Sequence, residues 1–202
     1  MLDATLSADV DRIERALTHS PAIARPFLLM LSGLPGTGKS TQAKKLAERL
    51  SATIIESDDI RRKLFAAPAF TDVESSYVFQ VCYLVMERLL KKGVPIVFDA
   101  TNRLERHRQQ VYDIAEACKA DLHIVHVDAP QAIVRERLER RLKKPGIKSQ
   151  AVADWKVYVR MRRDVERIGR PHMSINTAKE TDAAIEKVVA AVKQKMSAEE
   201  RK

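Results

Sequence analysis

Residues 33 to 40 read Gly33-Leu34-Pro35-Gly36-Thr37-Gly38-Lys39-Ser40, a glycine-rich turn that ends in a cation and a hydroxyl. This is the pattern G-x-x-x-x-G-K-[ST], and the chemistry it suits is the holding of a triphosphate. Glycines let the backbone curl until several N–H groups point at the β- and γ-phosphates. A helix starting there adds the positive end of its dipole. Lys39 can reach the terminal phosphates, and the Ser40 hydroxyl can ligate Mg²⁺. The expected nucleotide-binding residues are Gly33, Gly36, Thr37, Gly38, Lys39, Ser40 and Thr41, with ATP and Mg²⁺ as the expected ligands.

Further candidates lie downstream. Asp58 follows an apolar run directly, in Ser57-Asp58-Asp59-Ile60-Arg61. A carboxylate there can orient an attacking hydroxyl and take its proton. Arg61, three residues on, shares its helical face and can hold an anionic group on the acceptor. The alternative is that Ser57 or Asp58 caps a helix starting near Ile60; Asp59 reads as a surface carboxylate. Asp99 closes another apolar run and suits Mg²⁺, often through water. Ala100 follows it, where motion-driving ATPases commonly place a water-activating Glu, so transfer to a hydroxyl is favoured over hydrolysis. Asn102 either caps the next helix or contacts the acceptor. Arg103 is a candidate for acceptor phosphate. Arg137 and Arg141 are four apart in an Arg-rich segment and can close over the triphosphate. Lys143, Lys144, Pro145 and Gly146 just beyond can act as the hinge of a lid. The bland reading of that segment is a solvated helix with Glu136 and Glu139 as salt partners.

The elements that must position these residues alternate. Strands are expected at Phe27–Leu31, Thr53–Glu56, Val94–Phe98, Leu122–Val127 and His172–Asn176. Helices are expected over 1–25 (ending near Pro21), 41–50, 60–65, 72–92, 104–120, 131–142, 150–168 and 180–197. Alternation of this kind implies α/β architecture, a five-stranded parallel sheet flanked by helices; with the glycine motif between its first strand and the next helix, the expected fold is that of a P-loop NTPase, with the Arg-rich segment as a lid helix. Ligands of such sheets bind beyond the carboxyl ends of the strands. The glycine loop, Asp58, Asp99 and the turn after Asp128 all occupy such ends and can converge. The domain reading is an N-terminal helical extension over 1–25 and a single kinase-like domain over 26–202. His123 and His126, on one expected strand, should point to opposite faces, and Trp155 reads as packing.

The chain has 202 residues, enough for one full core, and 45% of them are hydrophobic. No apolar run reaches the roughly 20 residues that span a bilayer. The mixed polar start, Met1 to Ser20, is unlike a signal peptide. Cys82 and Cys118 lack metal spacing and read as thiols of a reducing cytoplasm. The net charge of +9 favours a polyanionic partner, from ATP up to nucleic acid. Aromatics are 5%, so base-stacking platforms are scarce.

Together these motifs resemble the small P-loop kinase family that includes polynucleotide 5′-kinases, zeta-toxin kinases and chloramphenicol phosphotransferase. The resemblance runs from about Phe27 to Thr177 and rests on Gly33 to Thr41, Ser57-Asp58 with Arg61, Asp99-Ala100-Thr101-Asn102, and Glu136-Arg137 with Arg141. It implies that Asp58 is the general base, that Arg61 binds acceptor phosphate, and that Arg137 and Arg141 contact ATP phosphates. It specifies phosphoryl transfer well and the acceptor poorly: a small molecule and a polynucleotide 5′-hydroxyl both stay open. Unlike many repair kinases, the chain shows no appended phosphatase or ligase domain. The rival reading from another class is a nucleotide-dependent ATPase or switch acting on a protein partner.

Overall fold

The computed structural model describes residues 4–142 and 155–199. The elements run α1 (Ala4–Ala16), β1 (Phe27–Ser32), α2 (Lys39–Leu50), β2 (Thr53–Glu56), α3 (Ser57–Leu64), α4 (Asp72–Lys91), β3 (Ile96–Asp99), α5 (Glu105–Ala117), β4 (Asp121–Asp128), α6 (Gln131–Leu142), α7 (Trp155–Arg163), β5 (Met173–Asn176) and α8 (Asp182–Glu199). The strands form one five-stranded sheet in the order β2-β3-β1-β4-β5, every pairing parallel. A parallel sheet must be covered on both faces, and this one is. Alternate residues of β1 divide between two cores. Leu28 and Met30 pack with Val10, Ile13, Val81, Val85 and Val111 of α1, α4 and α5. Phe27, Leu29 and Leu31 pack with Leu46, Ile185 and Val192 of α2 and α8.

The first helix is shorter than the sequence suggested, stopping at Ala16 rather than near Pro21. The His19 ring meets the Glu14 carbonyl at 2.8 Å, and the chain then runs without regular structure to β1, with the Ser20 amide on Thr53 and the Ile23 amide on Gly93. α1 buries Leu6, Val10 and Ile13 in the first core, and its Asp11 and Glu14 pair with Arg88 of α4 and with Lys92 just beyond it. It thus covers the core shared with α4 and α5.

Pro95 offers no N–H, and β3 begins just after it, while its carbonyl accepts from the Thr53 amide at 2.9 Å. β2 passes into α3 with no loop between them. Ser57, Asp58 and Asp59 therefore form the first helical turn, and neither Ser57 nor Asp58 is the cap; Glu56 holds that position, without a side-chain cap bond. His123 stands against Phe27 on one face of β4, and His126 lies on the other, as period-two alternation requires. Burial lowers both imidazoles, His123 to about 4. Cys82 and Cys118 are free thiols. Among the described residues, no helix is long and apolar enough to cross a membrane.

Candidate phosphate-transfer site

The glycine loop connects β1 to α2 at the carboxyl edge of the sheet. Side chains are disfavoured at its glycines. A Cβ on Gly33 would lie 2.2 Å from the Val127 carbonyl oxygen, and Gly38 sits at φ +94°. Thr37 donates through Oγ1 to the Leu34 carbonyl at 2.8 Å, and Lys39 lays its Nζ against the same oxygen at 3.1 Å. The lysine charge is therefore held over the loop with little of the residue exposed. The expected loop residues Gly33, Gly36, Thr37, Gly38, Lys39, Ser40 and Thr41 all belong to this one turn and the start of α2.

A second layer locks the loop from above. Thr177, just after β5, donates through Oγ1 to the Thr37 carbonyl at 2.7 Å. Arg137 of α6 donates to Thr177 Oγ1 at 2.7 Å and to the Thr177 carbonyl at 2.8 Å, with a longer bond of 3.5 Å to the Thr37 carbonyl. The structure thus brings Arg137 beside the phosphate loop. The Arg141 side chain and the expected hinge at Lys143–Gly146 lie outside the described residues.

Across the loop stand the strand-end carboxylates. Asp99 is 3% exposed, and its Oδ2 has no hydrogen-bond partner among the described residues. Burial pushes its carboxyl up; Lys39 and a hydrogen bond from Ser40 pull it down, and Asp58 pushes it up again. Glu56 faces Asp99 in the β2–β3 register. Its carboxyl too is raised, by burial first and then by Asp99, against the pull of Arg62. Asp58 is exposed in the first turn of α3, within reach of the fields of both. Asp59 pairs with Lys63 at 2.7 Å and is a surface carboxylate, as expected. Glu56 went unrecognised as part of this cluster; its signal was that it is the last residue of an apolar strand.

Two candidates for acceptor contact are engaged elsewhere. Arg61 is buried, bonded to Glu74 at 2.5 Å and to Ser75 at 3.3 Å, and lies over the Phe70 ring at 4.5 Å. Glu74 also accepts from the amides of Ala69 and Phe70. Burial raises the Glu74 carboxyl, but Arg61 and the two amides outweigh it and hold it below its usual range. Replacing Arg61 with alanine strands that buried carboxylate, so urea unfolding should show a loss of about 3 kcal/mol or more. An unchanged unfolding midpoint would mean that the pair contributes nothing.

Asn102 is fully buried at φ +44°, a conformation that Asn tolerates better than most residues. Its Nδ2 donates to the Leu31 carbonyl at 2.6 Å, so it ties the turn after β3 to the end of β1. It is not the helix cap; α5 begins at Glu105 after Leu104. Arg103 is partly exposed, and among the described residues it pairs only with the Asp164 carboxylate, at 3.9 Å. Arg108, which the sequence reading passed over, is fully buried and donates to Glu105 and to the carbonyls of Asn102, Glu166 and Arg167. It sits on the apolar stripe with Val111, Tyr112 and Ala115, and a cation at that spacing was the available signal.

A phosphate loop after the central β1, a carboxylate ending the adjacent β3 and the order β2-β3-β1-β4-β5 define a P-loop nucleotide-binding protein of the kinase type. The chain belongs to the AAA domain family AAA_33, which matches residues 28–168, and with its relatives it falls among the small P-loop kinases. It is 27% identical over 125 residues to the L-seryl-tRNA(Sec) kinase of Methanococcus maripaludis, a match covering 59% of this chain and 48% of that one. It is 26% identical over 133 residues to the adenylate kinase of Coxiella burnetii, covering 60% and 56%. The chain thus spans about half the length of these curated relatives. The adenylyl-sulfate (APS) kinase of Mycobacterium tuberculosis, solved with AMPPNP and APS, superposes with a TM-score of 0.61 at 20% identity, covering 86% of this chain and 99% of that one.

Proposed function

We propose that the chain is a Mg²⁺- and ATP-dependent kinase that moves the γ-phosphate to a hydroxyl acceptor. The observation that carries this reading is the exposed Asp58 at the mouth of a site whose inner carboxylate, Asp99, is buried beside Lys39 and Ser40. The residue after Asp99 is the buried Ala100, which cannot activate water for hydrolysis.

The orphaned Asp99 Oδ2 and the Ser40 hydroxyl are a donor set that fits a hard, oxygen-seeking cation such as Mg²⁺. Among the described residues, no group of three or more His, Cys, Asp or Glu could hold a metal alone, which suits an ion completed by phosphate oxygens and water. Bound there, Mg²⁺ would neutralise charge on the phosphates. In the proposed transfer, the loop amides and Lys39 hold the triphosphate. Asp58 orients the acceptor hydroxyl and takes its proton. The acceptor oxygen forms a bond to the γ-phosphorus, and the bond to the β-phosphate oxygen breaks with its electron pair left on ADP. Arg137 offsets the charge that develops at the loop, and Arg141 follows it by one helical turn. The names of the relatives span a seryl-tRNA, adenylate and an adenylyl sulfate, so they leave the acceptor open. The free thiols of Cys82 and Cys118 support a place in the reducing cytoplasm.

The test is label transfer from γ-labelled ATP with Mg²⁺ to sugars, hydroxy acids, phenicol-type alcohols and 5′-hydroxyl oligonucleotides. Label on an alcohol supports the kinase reading. Label released only as free phosphate would sink it in favour of the ATPase switch. A pH titration gives a second check. The Asp99 carboxyl keeps its proton to higher pH than an ordinary aspartate. As pH falls, Mg²⁺ should therefore lose its ligand above the ordinary aspartate range. Calorimetry should show Mg²⁺–ADP affinity weakening in that window while affinity for metal-free ADP holds. Parallel curves would remove Asp99 from the metal site.

A further inference from the structure

Resting on that reading, we propose that the acceptor is a small molecule whose anionic end is seated by Arg103 and Arg162 in a cavity beside the phosphate loop, its hydroxyl extending out of that cavity toward Asp58, which does not line it. The cavity measures about 390 Å³ and opens between Leu34 of the loop, Arg103 after β3, His126 and Asp128 of β4, and Tyr158 and Arg162 of α7. It lies at the carboxyl ends of β1 and β4, where ligands of parallel sheets bind. Its volume falls in the range of small-molecule sites, about 300–1,000 Å³.

The charge in this cavity is unbalanced. Arg162 donates to the neutral side chain of Gln131. Arg103 has Asp164 no nearer than 3.9 Å, beyond hydrogen-bond reach. Asp128 is the one carboxylate among the lining residues. Among the described residues, neither guanidinium has a carboxylate within hydrogen-bond reach, and their planar forks match a carboxylate or phosphate on an incoming ligand. Arg61 differs here, because it is already committed to Glu74.

The two arginines are also held in fixed relation. The Glu166 amide donates to the Arg103 carbonyl at 2.9 Å, and Arg108 gathers the carbonyls of Asn102, Glu166 and Arg167. The turn carrying Arg103 and the segment leaving α7 are therefore clamped together before any ligand arrives, which lowers the ordering cost of binding. A polynucleotide strand is the poorer fit. Single-strand binding relies on open aromatic faces, and Tyr158 is 3% exposed with Trp155 stacked on it at 5.0 Å.

The experiment compares the full chain with Arg162→Gln, Arg103→Gln and the double variant. Label transfer from γ-labelled ATP is measured to sugar phosphates, sugar acids and hydroxy acids, to the matching neutral sugars, and to a 5′-hydroxyl oligonucleotide. The expected product is a phosphorylated member of the anionic set, with acceptor KM raised about tenfold or more in each variant. Transfer to neutral sugars or to the oligonucleotide that the variants do not diminish overturns the proposal. A binding measurement stands apart from turnover. The protein is first saturated with Mg²⁺ and a non-hydrolysable ATP analogue, so that the phosphate loop is filled, and then titrated with inorganic phosphate. Wild type should bind phosphate about tenfold or more tightly than the double variant, and equal binding overturns the seat. Failure of the analogue to bind is read before phosphate is added and counts against the kinase reading itself; the phosphate comparison on nucleotide-free protein then decides the seat separately.

Discussion

Replacing Asp58 with alanine should slow phosphoryl transfer by about two to four orders of magnitude while leaving the affinity for ADP nearly unchanged. The separation of the two effects follows from where the side chain stands. Asp58 occupies the first turn of α3, exposed to the cleft, whereas the phosphate loop is closed by Lys39, Thr37, Thr177 and Arg137. Removing the carboxylate takes away the group proposed to receive the acceptor proton and touches none of the loop bonds. It also removes negative charge that raises the carboxyls of Asp99 and Glu56, so ADP binding has no reason to weaken. Single-turnover transfer to an identified acceptor, paired with ADP calorimetry, gives both numbers. A variant that kept the full transfer rate would lose Asp58 its role as base.

Lys39→Ala should cost about two to three orders of magnitude in turnover, the usual consequence of deleting one preorganised charge from a transition-state cradle. Here the charge is preorganised in a definite sense. The ammonium rests 3.1 Å from the Leu34 carbonyl, largely shielded from water, inside the curve that the triphosphate would fill. Its loss also leaves Asp99 without the cation that most favours its ionised form. In contrast to the Asp58 variant, nucleotide affinity should fall together with the rate. Retention of both would mean that the loop does not hold the phosphates through this residue.

The parts of this molecule that were legible in advance are those whose signal is local. The glycine loop announces itself within eight residues because the turn it makes is set by its own glycines. The parallel sheet follows from apolar runs alternating with amphipathic ones. Asp58 and Asp99 were visible because a carboxylate after a buried strand must emerge at the sheet edge. The roles of Arg61 and Asn102 were harder to read because their partners are remote. Arg61 meets Glu74 from the next helix, and Asn102 meets a carbonyl 71 residues earlier in the chain. Thr177 gave no sign at all, since a threonine after a short strand is ordinary until the fold sets it over Thr37. The start of α3 was misplaced for another reason: strand passes to helix without the turn residues that usually mark the junction.

The bond from Thr177 to Thr37 spans 140 residues of sequence. During synthesis, the first half of the chain emerges carrying every residue of the glycine loop, yet the strap that pins Thr37 is still unmade. Arg137 comes next, and its principal anchor, Thr177, comes last. A ribosome-bound chain shorter than this therefore has the loop without its brace. Competence to grip nucleotide should be acquired only after Thr177 has emerged, and a growing chain would not sequester ATP before the rest of the sheet has closed around it.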